Sequence, residues 1–406
     1  MFRYLAPAGN KLPINIIYKA LIMMRRADTT ELFGNKLKDY LGVRHCFLTS
    51  SGTSTLYLAL CSLKELSNKD EVIIPAYTCP SVLAAVIKAG LKPVLCDLDK
   101  EKSSFDYHEL KSKISNRTLS IISVHLFGIP EDSFKINHTI SSHNVFHIED
   151  AAQSFGTSIK NVEDNTRSQV MLGTIGDIGI YSFGRGKPLT LMQGGAITTN
   201  SDVIAKILSQ KADDLSPSTN TEIVMAIVSS LLYSIFSHPR LFWIPQNLPF
   251  LKLGETIFNI DFKTKQIDAF TSALGLLMIE GIAKATSIRA KKSDLITQKL
   301  SRFMNFFITN NSDISSFLRF PLLMKSKTQK ESVLSELKSK GLGATEMYPT
   351  TLNLFKDTKK YFNGTSQYKN AQSFSERILT LPLHEFLTEN DVDKIKSTLL
   401  KHAIEN

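Results

Sequence analysis

HCFLTSSGTSTLYLAL, residues 45–60, and EVIIPAYTCPSVLAAVIKAGLKPVLCDLD, residues 71–99, read together as strand, helix, strand, helix, strand. Residues 46–49 are a short apolar run. Residues 53–66 place Leu56, Ala59, Leu60 and Leu63 on one helical stripe. Residues 71–75 and 93–97 are further strands, with a helix over 80–89 between them. The pattern continues outward with strand candidates at 119–125, 145–149, 178–183 and 196–199. Most are β-branched and apolar without alternation, as strands covered on both faces are. Strands separated by helices predict right-handed crossovers and a doubly wound sheet. Ligands in such sheets bind beyond the carboxyl ends of the strands.

The remaining composition narrows the class. The 406 residues are 43% hydrophobic and 21% charged, which excludes a disordered or collagen-like chain. The net charge of +10 suits phosphate-bearing substrates, anionic membrane or nucleic acid and does not choose among them; no nucleic-acid-binding motif is present. Cys46, Cys61, Cys79 and Cys96 form no CxxC pair and are too sparse for a disulfide framework, so a reducing, cytoplasmic setting is expected. The first 26 residues are broken by Pro7, Gly9 and Pro13 and lack the apolar core of a signal peptide. No run attains the ~20 apolar residues of a spanning helix.

Residues 200–259 differ, with an apolar helical pattern at 223–236 followed by HPRLFWIPQNLPFLKLG. This stretch reads as dimer or core packing, a lid, or a helix lying on a membrane surface. Residues 266–300 read as one long helix, apolar early and basic late (Arg289, Lys291, Lys292, Lys299, then Arg302), its basic face solvated. The last hundred residues carry their own signals at 317–322, 330–340 and 391–403, a smaller α+β unit.

Polar residues gather where the strands end. Ser50-Ser51-Gly52-Thr53-Ser54 opens a helix, either as a plain N-cap or as a phosphate site of backbone N–H groups and hydroxyls. Glu149-Asp150-Ala151-Ala152-Gln153 follows a buried strand, where an acid is costly unless a cap, a cation or a protonated ring nitrogen meets it. In GDIGIYSFGRGKP, residues 176–188, Lys187 lies in a glycine-bracketed turn beside Arg185; it is a solvated loop lysine or a Schiff-base nucleophile. A phosphate cradle, an acid and a lysine at three strand ends are together the parts that pyridoxal 5'-phosphate (PLP) needs. No spacing of His, Cys and Asp suggests a metal, and no serine sits in a hydrolase elbow.

Through DYLGVRHCFLTSSGTSTLYLAL, HIEDAAQSFG, GDIGIYSFGRGKPLTLMQGGAITTN, KTKQIDAFTSALGLLMIEG and ERILTLPLHEFLTENDVDKI, the chain resembles the DegT/DnrJ-type nucleotide-sugar aminotransferases, a branch of the fold-type-I PLP enzymes. The resemblance implies a large mostly parallel sheet domain over 1–265, with an apolar insertion at about 201–260. A connecting helix over 266–305 and a small C-terminal domain over 306–406 follow, and the working unit is a homodimer. It implies Lys187 as the Schiff-base lysine and proton carrier, and Asp150 as partner of the pyridine nitrogen. Gln153 would meet the phenolic oxygen, and Gly52, Thr53 and Ser182 would hold the phosphate. Ser182 stands five residues before Lys187, the family spacing. It also implies an amino-acid donor, usually glutamate, and a nucleotide-linked keto-sugar as acceptor, for surface polysaccharide, lipopolysaccharide or glycoconjugates.

Departures from the family pattern are specific. Cys79 stands where an aromatic residue commonly covers the ring, and Tyr77 is the nearby candidate to replace it. The G-x-N-x-R segment, expected to reach the partner's phosphate, reads here as Asp261-Phe262-Lys263; an aspartate there repels phosphate unless Lys263 compensates. The R-x-H-Y segment reads as Thr345-Glu346-Met347-Tyr348. Arg185 before Lys187 is atypical and is expected to supply phosphate charge. His125 lies beside the cofactor or packs as a hydrogen-bonded core residue, while His147 and His384 read as structural or surface residues. The rival readings are a silent paralogue that binds PLP or a sugar, and another fold-type-I reaction such as decarboxylation or acyl transfer.

Overall fold

A computed structural model describes residues 3–100, 102–161, 168–248, 256–300, 317–362 and 367–404. The chain opens with helices α1 (Ile14–Met23) and α2 (Thr29–Leu41), then enters β1 (His45–Thr49). Strand and helix alternate from there: α3 (Gly52–Leu66), β2 (Glu71–Pro75), α4 (Pro80–Lys88), β3 (Lys92–Cys96), α5 (Tyr107–Lys113), β4 (Thr118–Val124), α6 (Ser133–Ile140) and β5 (Phe146–Asp150). A small hairpin, β6 (Ser158–Lys160) and β7 (Gln169–Met171), precedes β8 (Ile178–Ser182) and β9 (Gly195–Thr199). Next come α7 (Asp202–Asp213), α8 (Asn220–Phe236), α9 (Trp243–Gln246), α10 (Ala269–Met278) and α11 (Ile282–Leu300). The C-terminal part adds β10 (Arg319–Leu323), α12 (Lys327–Ser339), α13 (Lys369–Arg377), β11 (Ile378–Pro382) and α14 (Glu389–Ile404).

Seven strands make one sheet in the order β1-β9-β8-β5-β4-β2-β3, in which β9 alone runs against the others. The helices cover both faces because the strands are apolar on both sides: all seven residues of β4 are buried. The α3 stripe read from the sequence is the buried one, with Leu56, Ala59, Leu60 and Leu63 at 3% exposure or less. Each such leucine contributes about 1.5–3 kcal/mol by leaving water. A separate two-stranded sheet, β10 with β11, packs with α12 and α14 around Leu322, Leu337, Leu381 and Ile395.

The helix expected over 266–300 is two helices. Asp268 caps the first, its carboxylate accepting from the Thr271 N–H at 2.8 Å, so residues 266–268 stay outside. A tight turn at Ile279–Gly281 then separates α10 from α11. By length and composition the stretch Ala269–Leu300 would span a membrane, but its apolar side, including Phe270 and Leu274, fills the core against Phe33 and Ile17. Arg302 and the expected boundary at 305/306 lie outside the described residues. The 223–236 pattern is helical, extended backward by a reciprocal Thr219/Glu222 cap.

Candidate active site

Register brings the candidate residues together. Val124 of β4 pairs with Asp150 of β5, and Asp150 pairs with Ile180 of β8, so the carboxyl ends of three parallel strands are level. Asp150, with Gln153 beyond it, leaves β5; Lys187 follows β8; His125 follows β4; Tyr77 and Cys79 follow β2. The start of α3 closes the group, because Ser51 bridges to Gly194 and the Gly194 N–H donates to the Ser50 carbonyl at 2.8 Å.

Ser51 is the N-cap of α3, its hydroxyl accepting from the Ser54 N–H at 3.1 Å. The cap and the cradle readings are therefore compatible, since capping consumes the Ser51 oxygen and leaves the first N–H groups of the helix without helical partners. Gly52 is forced at this point: a Cβ there would stand 2.5 Å from the Ser182 Cβ and 2.8 Å from its Oγ. The Thr53 hydroxyl, half-buried, has no hydrogen-bond partner among the described residues. The Ser182 hydroxyl and a helix N-terminus thus meet where an anion is stabilised.

Asp150 is 9% exposed, and its Oδ1 accepts from the Ala152 N–H at 3.0 Å. Burial pushes its carboxyl up, while the Lys187 ammonium and that N–H pull it down, so lysine and acid share one pocket of low dielectric. The Lys187 turn is held by its own N–H donating to the Gly184 carbonyl at 3.2 Å and by the Thr190 hydroxyl donating to the Lys187 carbonyl at 2.7 Å. Gly186 adopts φ +78°, which a side chain would strain. Arg185 points outward and is exposed.

Gln153 is buried and fixed at both ends. Its Oε1 accepts from the Phe127 N–H at 3.0 Å, and its Nε2 donates to the Tyr348 hydroxyl at 3.1 Å. Tyr348, from the departing Thr345–Tyr348 segment, thereby enters the site, with the Cys79 thiol also bonded to its hydroxyl. Tyr77, the expected ring cover, is fully buried. Its ring packs edge-on against Tyr348 and Phe374, and its hydroxyl donates to the Tyr348 carbonyl at 3.2 Å, so core packing uses it.

His125 packs beneath the site. Its Nδ1 accepts from the Glu131 N–H at 3.0 Å, which puts the ring proton on Nε2, 3.1 Å from Glu149. Glu149 is wholly buried, and accepts from the Ile175 and Gly176 N–H groups at 2.6 Å each and from the Ser133 hydroxyl at 2.7 Å. Burial alone would raise its carboxyl; the hydrogen bond from His125 leads the groups that outweigh it and hold it at about 2. His147 bonds Ser123 and Asn137 at 2.8 and 2.7 Å, and His384 bonds the Ala6 carbonyl, so both are structural.

The Asp261–Lys263 segment runs along its own chain's cradle: the Lys263 carbonyl accepts from the Ser54 hydroxyl at 3.1 Å, while both charged side chains are exposed. Sequence reasoning missed Arg319. Its Nη1 donates to the Thr345 hydroxyl at 2.7 Å, its Nε is buried without a partner, and burial lowers the guanidinium to about 10 against the nearby Tyr348. The only advance signal was a single base opening the apolar run FPLLM. No group of three or more His, Cys, Asp or Glu that would hold a metal occurs among the described residues.

The family model for the DegT/DnrJ/EryC1/StrS aminotransferase family matches residues 18–232 and 244–400. The chain is 27% identical to a dTDP-4-amino-4,6-dideoxy-D-glucose transaminase of Shigella dysenteriae, over 97% of this chain and 96% of that one. It is 26% identical to a GDP-perosamine synthase of Caulobacter vibrioides, over 90% and 88%. Among solved structures, the Helicobacter pylori aminotransferase PseC superposes with a TM-score of 0.76 at 19% identity, covering both chains in full. The PLP form of Spr1654 from Streptococcus pneumoniae gives 0.74 at 20% identity over 99% of each. The chain belongs to the DegT/DnrJ/EryC1/StrS family and is a PLP-dependent aminotransferase of the fold-type-I architecture.

Proposed function

We propose that this aminotransferase takes the amino group of an amino acid, glutamate first, and delivers it to a keto carbon of a nucleotide-linked sugar used in polysaccharide or related amino-sugar synthesis. The observation that carries the reading is the meeting of Lys187, Asp150 and Gln153 at adjacent strand ends. The relatives named above, matched over nearly their whole length, support the sugar acceptor.

The pocket fits the cofactor. The glycine-only approach of Gly52 to Ser182 sets the first N–H groups of α3 beside the Ser182 hydroxyl, a donor set that suits a phosphate, and Asp150 is a buried carboxylate with a single N–H partner, suited to a cationic ring nitrogen. PLP supplies an aldehyde for the amine and an electron-accepting ring. Gly52, Thr53 and Ser182 hold its phosphate. Asp150 keeps the ring nitrogen protonated, because its charge is worth most in a pocket that excludes water. Gln153, clamped between Phe127 and Tyr348, orients an amide toward the ring oxygen. Lys187 would bind the cofactor's aldehyde and, displaced by the donor's amine, would hold and move a proton at Nζ.

An amino-acid donor brings a carboxylate. Arg319 is a buried guanidinium with an unpartnered Nε, held beside Tyr348 and Thr345, and no carboxylate pairs with it among the described residues. A buried charge without a counter-ion is costly, so an incoming carboxylate is favoured there. This compensates in part for the basic residue that the Thr345 position lacks. We read the working unit as a homodimer, with the exposed Asp261 and Lys263 beside the cradle available to a second copy, and the four free cysteines as fitting a reducing cytoplasm.

The test is purified holoenzyme given glutamate and a panel of nucleotide-linked keto-sugars. The expected result is a change in cofactor absorption with glutamate and a sugar product carrying the amine. No spectral response to any amino acid would instead identify a silent paralogue, and release of carbon dioxide without amine transfer a different fold-type-I reaction.

A further inference from the structure

Among the described residues, eleven of the fifteen most exposed large hydrophobic side chains fall within residues 14–22 and 224–248. They do not scatter over those stretches. On α1 they are Ile14, Tyr18 and Ile22, spaced by four, at 55% exposure or more. On α8 they include Val228, Leu232 and Ile235. The opposite faces of the two helices are occupied. Ile17 and Ala20 of α1 and Ala226 of α8 enter one core cluster with Phe270 and Leu274 of α10, so α1 and α8 lie side by side with their apolar stripes turned outward. The Tyr233 and Ser234 hydroxyls fasten α8 to the Asn10 and Leu12 carbonyls, which fixes that orientation. The chain's single tryptophan, Trp243, is 41% exposed just beyond, its indole N–H donating to the Arg240 carbonyl at 3.1 Å.

The charge along this face is predominantly positive. Residues 10–27 and 223–248 contain Lys11, Lys19, Arg25, Arg26 and Arg240, all exposed, and no aspartate or glutamate. Glu222, in the first turn of α8, pairs with Lys265, and Asp28 pairs with Arg26, so the cations of these stretches without an acidic partner among the described residues are Lys11, Lys19, Arg25 and Arg240. An apolar stripe with cations along its margin and an exposed indole matches the chemistry of the boundary between acyl chains and anionic headgroups. A helix of 17 residues is too short to cross a bilayer and long enough to lie on one. A second copy of this chain is the competing occupant, and sedimentation separates it from the bilayer.

We propose that α1, α8 and the Trp243 turn form a docking face on which the enzyme lies on an anionic lipid bilayer without crossing it. The holoenzyme is mixed with vesicles of phosphatidylcholine alone, or of phosphatidylcholine with phosphatidylglycerol, and floated at low and high salt. Binding to the phosphatidylglycerol vesicles is expected, weakened by salt, with Trp243 emission shifting to the blue. V228E with L232E, both on solvent-facing positions, is expected to lower partitioning about tenfold while leaving aminotransferase turnover unchanged. K19E with R25E is expected to remove the preference for anionic vesicles. Absence of binding to the anionic vesicles overturns the proposal, as does equal binding to neutral ones. Sedimentation gives the third overturning result: if V228E with L232E splits a wild-type oligomer, the face belongs to a second copy. The tryptophan signal requires no substitution, so a variant that fails to fold leaves the test intact.

Discussion

Replacing Gly52 by alanine probes the cradle directly. The new Cβ would lie 2.5 Å from the Ser182 Cβ, 2.8 Å from its Oγ and 3.3 Å from its Cα. Carbon atoms rest at about 3.5–4 Å, so the first contact overlaps by about 1 Å. Neither side yields easily: Gly52 is the first residue of α3 and Ser182 the last of β8, and both are tied into the sheet and its bridge at Gly194. Relief requires the helix start to withdraw from the strand end, which opens the two sides of the cradle. Overpacking of this kind costs about 1–3 kcal/mol, equivalent to a loss of about 5- to 150-fold in PLP affinity. Cofactor titration into the apoenzyme measures it, and urea unfolding of the apoenzyme reads the strain independently. Ser182→Ala keeps the offending Cβ and should not rescue Gly52→Ala, whereas Ser182→Gly leaves only the 3.3 Å contact and should recover about 1–2 kcal/mol of apoenzyme stability in a double-mutant cycle. If Gly52→Ala binds PLP within about twofold of wild type, the close approach is not what shapes the phosphate site.

Lys187→Ala should abolish amine transfer with an unchanged circular dichroism spectrum, and Asp150→Asn should keep PLP bound while lowering turnover about 10²- to 10³-fold, as loss of one buried electrostatic partner does; both are read by single-turnover kinetics. Glu149 is held at about 2 against 4.5 for the free group, so its contribution is complete above pH 4.5 and drains as pH falls toward 2. Glu149→Gln should therefore cost about 3 kcal/mol at neutral pH and flatten the acid limb of stability between those values, measured by denaturant unfolding across pH. Arg319→Met should act in opposite directions, raising the melting temperature because an unpaired buried charge is removed, and raising the KM for the amino donor about tenfold with the acceptor KM unmoved. A stability loss, or an equal change in both KM values, would refute Arg319 as the donor's anchor.

What the sequence disclosed and what it hid divide along the range of the interactions. That Asp150, Ser182 and Lys187 lie at or just beyond strand ends was legible because each sits within a few residues of an apolar run that does not alternate, and such runs mark buried parallel strands. Glu149 was harder. It adjoins Asp150, yet successive side chains on a strand face opposite ways, and its partners Ser133, Ile175 and Gly176 come from other segments. Nothing local says that such an acid is satisfied. Tyr77 misled for a related reason: its nearness to Cys79 in sequence suggested a ring over the cofactor, whereas its contacts are with Tyr348 and Phe374, some 270 and 297 residues away. Arg319 depends wholly on distant chain, on Thr345 and Tyr348.

The apolar helix at 220–236 shows a further limit. Beyond its first turn its polar side chains are Ser229, Ser230, Tyr233 and Ser234, none of them charged, so the sequence pattern alone does not tell which face is covered. Only the seating of Ala226, Ser230 and Tyr233 against α1, α10 and the Asn10 carbonyl leaves Val228, Leu232 and Ile235 outside. A helix with apolar residues on both its buried and its exposed sides, in a chain whose core is already filled by α10, has two uses for its faces rather than one. The inner face completes the fold, and the outer face therefore owes its composition to something other than folding.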